Sequence, residues 1–227
     1  MPKKTEEKKI KLLTEEELNT QWDLMTKEQK DEACLYQNIP LAFIRNHVRE
    51  INWPNLSVNP NVTFEILDAY SRKISWKSIC VNAKKLSDTF LYNYRLRLEW
   101  YIVLEKQQLE AEILVRLAEA FRKSSLRTQK EKFWKAISKF QEMDIPFIDA
   151  YHRYIDMRLL SANKMIPEEV LQKYINELDV EVLLTNRTDL SKEFITKNYM
   201  AFLKSDKIKA AVAKKIQDKI DEEKKTK

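Results

Sequence analysis

The chain has 227 residues, 44% of them apolar, and no glycine at all, where about 7% is usual. That length suits one large domain or two small ones. The missing glycine excludes phosphate-cradling loops, dinucleotide fingerprints and Asn-Gly or Asp-Gly hairpins, and so favours helices. The formal net charge is +6, and it sits at the ends: residues 1–11 carry five Lys and two Glu, residues 204–227 carry nine Lys and five acids, which leaves −1 for the body.

The first stretch, MPKKTEEKKIK, has no apolar run behind its charges and so does not read as a signal peptide. No segment approaches the roughly 18 uncharged apolar residues of a membrane span. Residues 1–11 read as a basic, disordered tail. Thr14 to Glu17 and Thr26 to Gln29 are two capping boxes, each opening a short helix. The first helix carries Leu18, Trp22 and Met25, and the second runs through Cys34. Asn38-Ile39-Pro40 ends the second helix, and Pro40 suits the start of a third.

From Ile39 a repeat is legible. One mark is a large apolar residue at Trp53, Trp76, Trp100, Trp134, Met157 and Val180, followed three positions later by an aliphatic one. A second mark opens another helix at Ile39, Val62, Leu86, Leu109, Met143, Ile166 and Leu190. Four and five residues later comes an apolar pair, from Phe43-Ile44 to Phe194-Ile195, and at eight a Tyr is frequent. The steps are 23 or 24, with a single 34. Spacings of three, four and five belong to helices, not strands. The fold class predicted is all-α: an α-solenoid-like array of about seven helix-turn-helix units of 23–24 residues, filling residues 12–203. Asn59, Asn82, Asn163 and Asn186 stand where each first helix should end. In a chain without glycine, Asn is expected there in the left-handed conformation.

Three departures stand out. The first unit is stretched, with 17 residues from Trp22 to Ile39. The third has Lys106 in place of Asn and reads as one longer helix through the turn. The insertion at 122–132, RKSSLRTQKEK, is basic and reads as a contact loop, with Arg122, Lys123 and Arg127 as candidate contacts. Beyond Leu203, Ile208, Val212, Ile216 and Ile220 form one stripe at spacing four, flanked by Lys214 and Lys215. This predicts an amphipathic helix over 204–227 that caps the array or docks on another protein.

Little here resembles a reaction centre. His47 falls where other units carry Tyr, and is expected in the core or a groove. His152 is expected near the surface, and neither His has a ligand partner at i+4. Cys34 and Cys80 are expected as buried free thiols. The Trp residues recur as core residues do, which argues against base stacking. The expectation is a protein that is not an enzyme and uses no cofactor and no metal.

The outline W-x-x-I/L-S-x-N-x-x-L-S-x-x-F-I-x-x-Y resembles the short helical repeat found in many proteins of large nucleocytoplasmic DNA viruses. It is carried by NWPNLSVNPNVTFEIL, SWKSICVNAKKLSDTFLYNY, FWKAISKFQEMDIPFIDAY and TDLSKEFITKN, within about residues 36–203. The third unit departs from it, and the family's usual second Trp is missing. The resemblance implies a structural protein, a minor capsid or other virion component, that scaffolds between neighbouring capsid proteins, located in the virion if viral and in the cytoplasm otherwise. It carries over no active site. The alternative is an adaptor binding acidic proteins through its basic ends, Lys3, Lys4, Lys8 and Lys9 among them, with nucleic acid as a less favoured partner.

Overall fold

The computed structural model describes residues 11–202. The candidate contacts Lys3, Lys4, Lys8, Lys9, Ile208, Val212, Lys214, Lys215, Ile216 and Ile220 lie outside them. Every described element is a helix, in accord with the all-α reading. The chain divides into two compact units, residues 1–84 and 85–227.

The first unit holds α1 (Glu15–Gln21), which passes into a 3₁₀ turn at Trp22–Leu24, then α2 (Lys27–Tyr36), α3 (Leu41–Asn46), α4 (Trp53–Val58), α5 (Phe64–Ala69) and α6 (Trp76–Asn82). Both capping boxes are closed. Thr14 Oγ1 accepts from the Glu17 N–H at 3.1 Å and Glu17 accepts from the Thr14 N–H at 2.8 Å, with Thr26 and Gln29 paired the same way. The second unit holds α7 (Asp88–Asn93), α8 (Trp100–Lys106), α9 (Ala111–Lys123), α10 (Arg127–Phe140), α11 (Ile145–Tyr151), a 3₁₀ turn at His152–Tyr154, α12 (Met157–Ala162), α13 (Glu168–Lys173), α14 (Val180–Asn186), α15 (Lys192–Lys197) and α16 (Tyr199–Phe202). Pro40, Thr63, Ser87, Asp144, Pro167 and Ser191 are the N-caps of α3, α5, α7, α11, α13 and α15, each one residue past the second mark, at which the sequence predicts a helix to open.

Most of these helices have six or seven residues, too short to be stable alone. Stacking holds them: α2 packs on α4 and α4 on α6, while in the second unit α8 packs on α10, α10 on α12 and α12 on α14. The apolar pairs supply the core between them, with Ile44, Leu91, Ile148, Leu171 and Ile195 fully buried. Each such side chain contributes about 1.5–3 kcal/mol by leaving water. The Trp marks are not equivalent. Trp100 and Trp134 are buried, whereas Trp53 and Trp76 are only half-buried.

Three expectations need correcting. No described residue has a positive φ, so Asn does not end helices in the left-handed conformation. Asn59 (φ −65°) and Asn163 (φ −76°) are extended residues after α4 and α12, and Asn82 and Asn186 are the last residues of α6 and α14. The third unit is not one long helix either. Gln107 is extended, and its side chain holds the Leu86 backbone on both sides, accepting from N–H at 2.8 Å and donating to the carbonyl at 3.2 Å. Nor is the insertion a loop. It lengthens α9 to 13 residues and α10 to 14, joined by Ser124–Leu126. The lengthened helices bring core with them: Phe121 and Phe133 stack at 4.3 Å, and Trp100 meets both edge-on.

The stretched first unit is also in register. Lys30 stands 23 residues before Trp53, in the position of the mark, and its ammonium lies 5.4 Å over the ring of Trp22, which supplies the aromatic from the 3₁₀ turn after α1. Gln37 holds Leu13 and Lys11 as Gln107 holds Leu86. The repeat therefore begins near residue 13.

Candidate interaction surface

Two polar devices join successive units. At the end of a first helix, one buried amide reaches back to the unit before. Asn59 Nδ2 donates to the carbonyls of Cys34 and Gln37 at 2.9 and 2.8 Å, and its Oδ1 accepts from the Asn61 N–H. Asn163 repeats this on Ser138 and Gln141, accepting from the Met165 N–H. Gln141 reaches Leu104 and Gln107 and accepts from the Leu109 N–H at 2.7 Å. Arg187 donates to the Asn163 carbonyl at 2.8 Å, held by Asp189, whose carboxyl the guanidinium keeps below the usual range. These amides satisfy carbonyls orphaned at helix ends.

The second device uses a hydroxyl. Ser57, Ser138 and Ser161 each donate to the carbonyl four residues back and accept the N–H of Ser75, Asp156 and Asp179, 18 residues on. Those three donors are N-caps whose own side chains cap α6, α12 and α14. Cys34 takes the same place for the N–H of Asn52, and burial pushes its thiol up to about 11. Both cysteines are buried and free, as expected.

Arg122 and Lys123 end α9 and Arg127 opens α10, on either side of the elbow between these helices. Arg122 is already engaged there. Its guanidinium grips Glu119 at 2.7 Å, and Glu119 also accepts the Tyr151 hydroxyl at 2.8 Å. These bonds, Arg122 first, hold the Glu119 carboxyl below its usual range. Burial, then the Glu119 contact, pushes Tyr151 up to about 12. Lys123 lies 3.8 Å from the same carboxylate, so Arg122 and Lys123 share one counter-charge and the elbow stays basic. Arg127 is exposed at the start of α10.

His47 stacks on Phe43 at 4.3 Å and faces Glu50 at 3.2 Å, as a groove residue would. Asp23, His47 and Glu50 could together offer three ligand atoms to a cation. Glu50, however, is occupied by Lys30 at 2.5 Å and by Trp22 Nε1 at 3.2 Å, so the cluster works as an ion-paired clamp on Lys30. His152 pairs with Glu177 at 2.8 Å and is exposed, as expected. No described helix is long and apolar enough to cross a membrane.

The surface feature that sequence reasoning missed lies between α9 and α11. Leu109, Leu114, Val115 and Phe147 line a groove of about 550 Å³. Exposed Ala111 and Ala150 leave it open. Its rim is acidic, with Glu110, Glu142 and Asp144, and no basic residue among the described residues lines it. The signal for it was the Val115–Pro146 pair of exposed apolar positions beside small residues, which no helical periodicity marks. Compared with known protein families, with curated proteins and with solved structures, the chain matches none of them.

Proposed function

We propose that this chain is a structural scaffold that binds other proteins along its helical repeats. The observation that supports it most is the buried amide ladder. Asn59, Gln141 and Asn163 tie α4, α10 and α12 to carbonyls of the unit before. Such ties fix the spacing of successive helices, and a surface of fixed spacing binds partners at little cost in ordering.

The resemblance of the repeat to those of large DNA viruses makes the scaffold a virion component, set between neighbouring capsid proteins. Mass spectrometry of purified particles tests this: the chain is expected among their proteins, in a fixed ratio to the shell protein. Its absence from the particles would remove the virion assignment. Cross-linking inside those particles then reads the partners, and cross-links confined to nucleic acid would replace the scaffold reading with the adaptor one.

A further inference from the structure

We infer that the acidic-rimmed groove between α9 and α11 receives the C-terminal segment, residues 204–220, of a second copy of this chain. The inference deepens the scaffold reading by naming one of its partners.

Shape, charge and reach support this choice. The groove offers an apolar floor at Leu114 and Phe147, an exposed apolar wall at Val115 (44% exposed), and carboxylates on the rim at Glu110, Glu142 and Asp144. The segment carries the complement: Ile208, Val212, Ile216 and Ile220 at spacing four, among six Lys and two Asp. A stripe that narrow fits a groove rather than a broad face. Lysines beside the stripe meet the rim acids, which draws the partners together and sets their orientation.

Reach decides between the segment of the same chain and that of another. Tyr174 links α13 to α11 through Asp149, and Gln172 links α13 to α15 through Asn198. From α11 to α16 there are then three helix-to-helix steps, roughly 25–30 Å at 8–10 Å each. Ile208 follows Phe202 by six residues, which extend at most about 20 Å. Ile208 of the same chain therefore falls short of its own groove, and the whole stripe, Ile208 included, can be seated there only by another copy. A tail-into-groove contact between copies is head-to-tail, so it builds a ring or a filament.

The test uses the full chain. With the photo-reactive residue p-benzoylphenylalanine at position 115, an equal mixture of ¹⁴N- and ¹⁵N-labelled chains is irradiated and the cross-linked peptides are mapped. Cross-links from position 115 to residues 204–220 are expected, half of them joining one isotope to the other. Cross-links joining only like isotopes, or none to that segment, would overturn the inference. Sedimentation of the unmodified chain should give a mass above 27.2 kDa that rises with concentration and falls in 0.5 M salt. Ile216→Asp and Val115→Asp, each with an unchanged circular dichroism spectrum, should return it to the single-chain mass. A chain that stays at the single-chain mass throughout, yet is found in purified particles, would refute this contact and leave the scaffold reading in place.

Discussion

The carboxamide of Asn163 donates to the carbonyl of Gln141 at 2.8 Å, across 22 residues of sequence. Gln141 in turn donates to Gln107, across 34 residues. Asn163 is 1% exposed and makes every bond it has inside the protein. Asn163→Ala would strand the Ser138 and Gln141 carbonyls and the Met165 N–H. Because buried unpaired groups cost about 1–3 kcal/mol each before relaxation, a net loss of about 2–4 kcal/mol is expected in denaturant titration. Asn82 is the control. It is exposed and donates only to Ser78 in its own helix, so Asn82→Ala should change stability by less than about 0.5 kcal/mol. Equal losses at the two sites would show that the ladder does not carry stability.

These two residues also show what a sequence can reveal. Asn59, Asn82, Asn163 and Asn186 look alike in the repeat, and their helices end as predicted to within a residue. The helix starts at Thr63, Ser87, Asp144 and Ser191 were legible because a cap bonds within three residues. The staples were not, because their partners lie 22 or more residues away. Their position depends on helix length. Where the first helix stops after six residues, as in α4 and α12, Asn59 and Asn163 face the previous unit. Where it runs one residue further, as in α6 and α14, Asn82 and Asn186 turn back to the carbonyl four residues earlier, and the task falls to the next residue where that residue has a donor. That residue is Gln107, Gln141 or Arg187 after α8, α10 and α14. The groove between α9 and α11 was hidden for a related reason: no local spacing reports what two neighbouring helices leave open.

Trp100 and Trp134 occupy one repeat position with different hydrogen bonding. Trp76 and Trp100 donate Nε1–H to the carbonyls of Ser71 and Arg95, each five residues back and each at 2.9 Å. For Trp134 that carbonyl belongs to Gln129, inside the lengthened α10, where it points along the helix axis. The Trp134 Nε1 is accordingly buried with no partner. Replacing Trp by Phe removes the same volume at both places, but only at 100 does it remove a hydrogen bond. Trp100→Phe should therefore destabilise by about 1 kcal/mol more than Trp134→Phe, as read from paired denaturation midpoints. The reverse order would mean that Trp134 is satisfied by a group the geometry does not reveal.

Cys34 sets an alkaline limit on stability. Its thiol titrates near 9.0 when free and is raised to about 11 by burial. Between those values the unfolded chain has lost a proton that the folded chain keeps. Folding stability is thus full below pH 9 and declines as pH rises toward 11, by up to about 2.7 kcal/mol for two units. Cys34→Ser should keep the bond to the Asn52 N–H, as Ser57 does for Ser75, and should remove this slope. Comparing the two proteins between pH 8 and 10.5 isolates the thiol from the tyrosines and lysines that titrate in both. Parallel pH curves would show that Cys34 is not shielded from water.

Ala83 is the gap in the ladder. It follows α6 in the position that Gln107, Gln141 and Arg187 hold after α8, α10 and α14, and a methyl group cannot donate to a carbonyl. The two compact units divide one residue later, between Lys84 and Lys85, both exposed. Between residues 13 and 202, brief trypsin treatment should therefore cut first at this pair, giving fragments that end at residue 84 or 85, because proteases act where backbone is exposed and weakly held. Ala83→Gln would place an amide within reach of the α4 end, inside the first unit, as Gln141 reaches the end of α8. It should slow the cut severalfold without changing cleavage at other lysines. If the first cut falls at the α9–α10 elbow instead, after Arg122 or Arg127, then the bonds of Arg122 and Lys130 hold that elbow less firmly than their distances of 2.7 and 2.8 Å imply, and the missing staple at 83 is of no consequence.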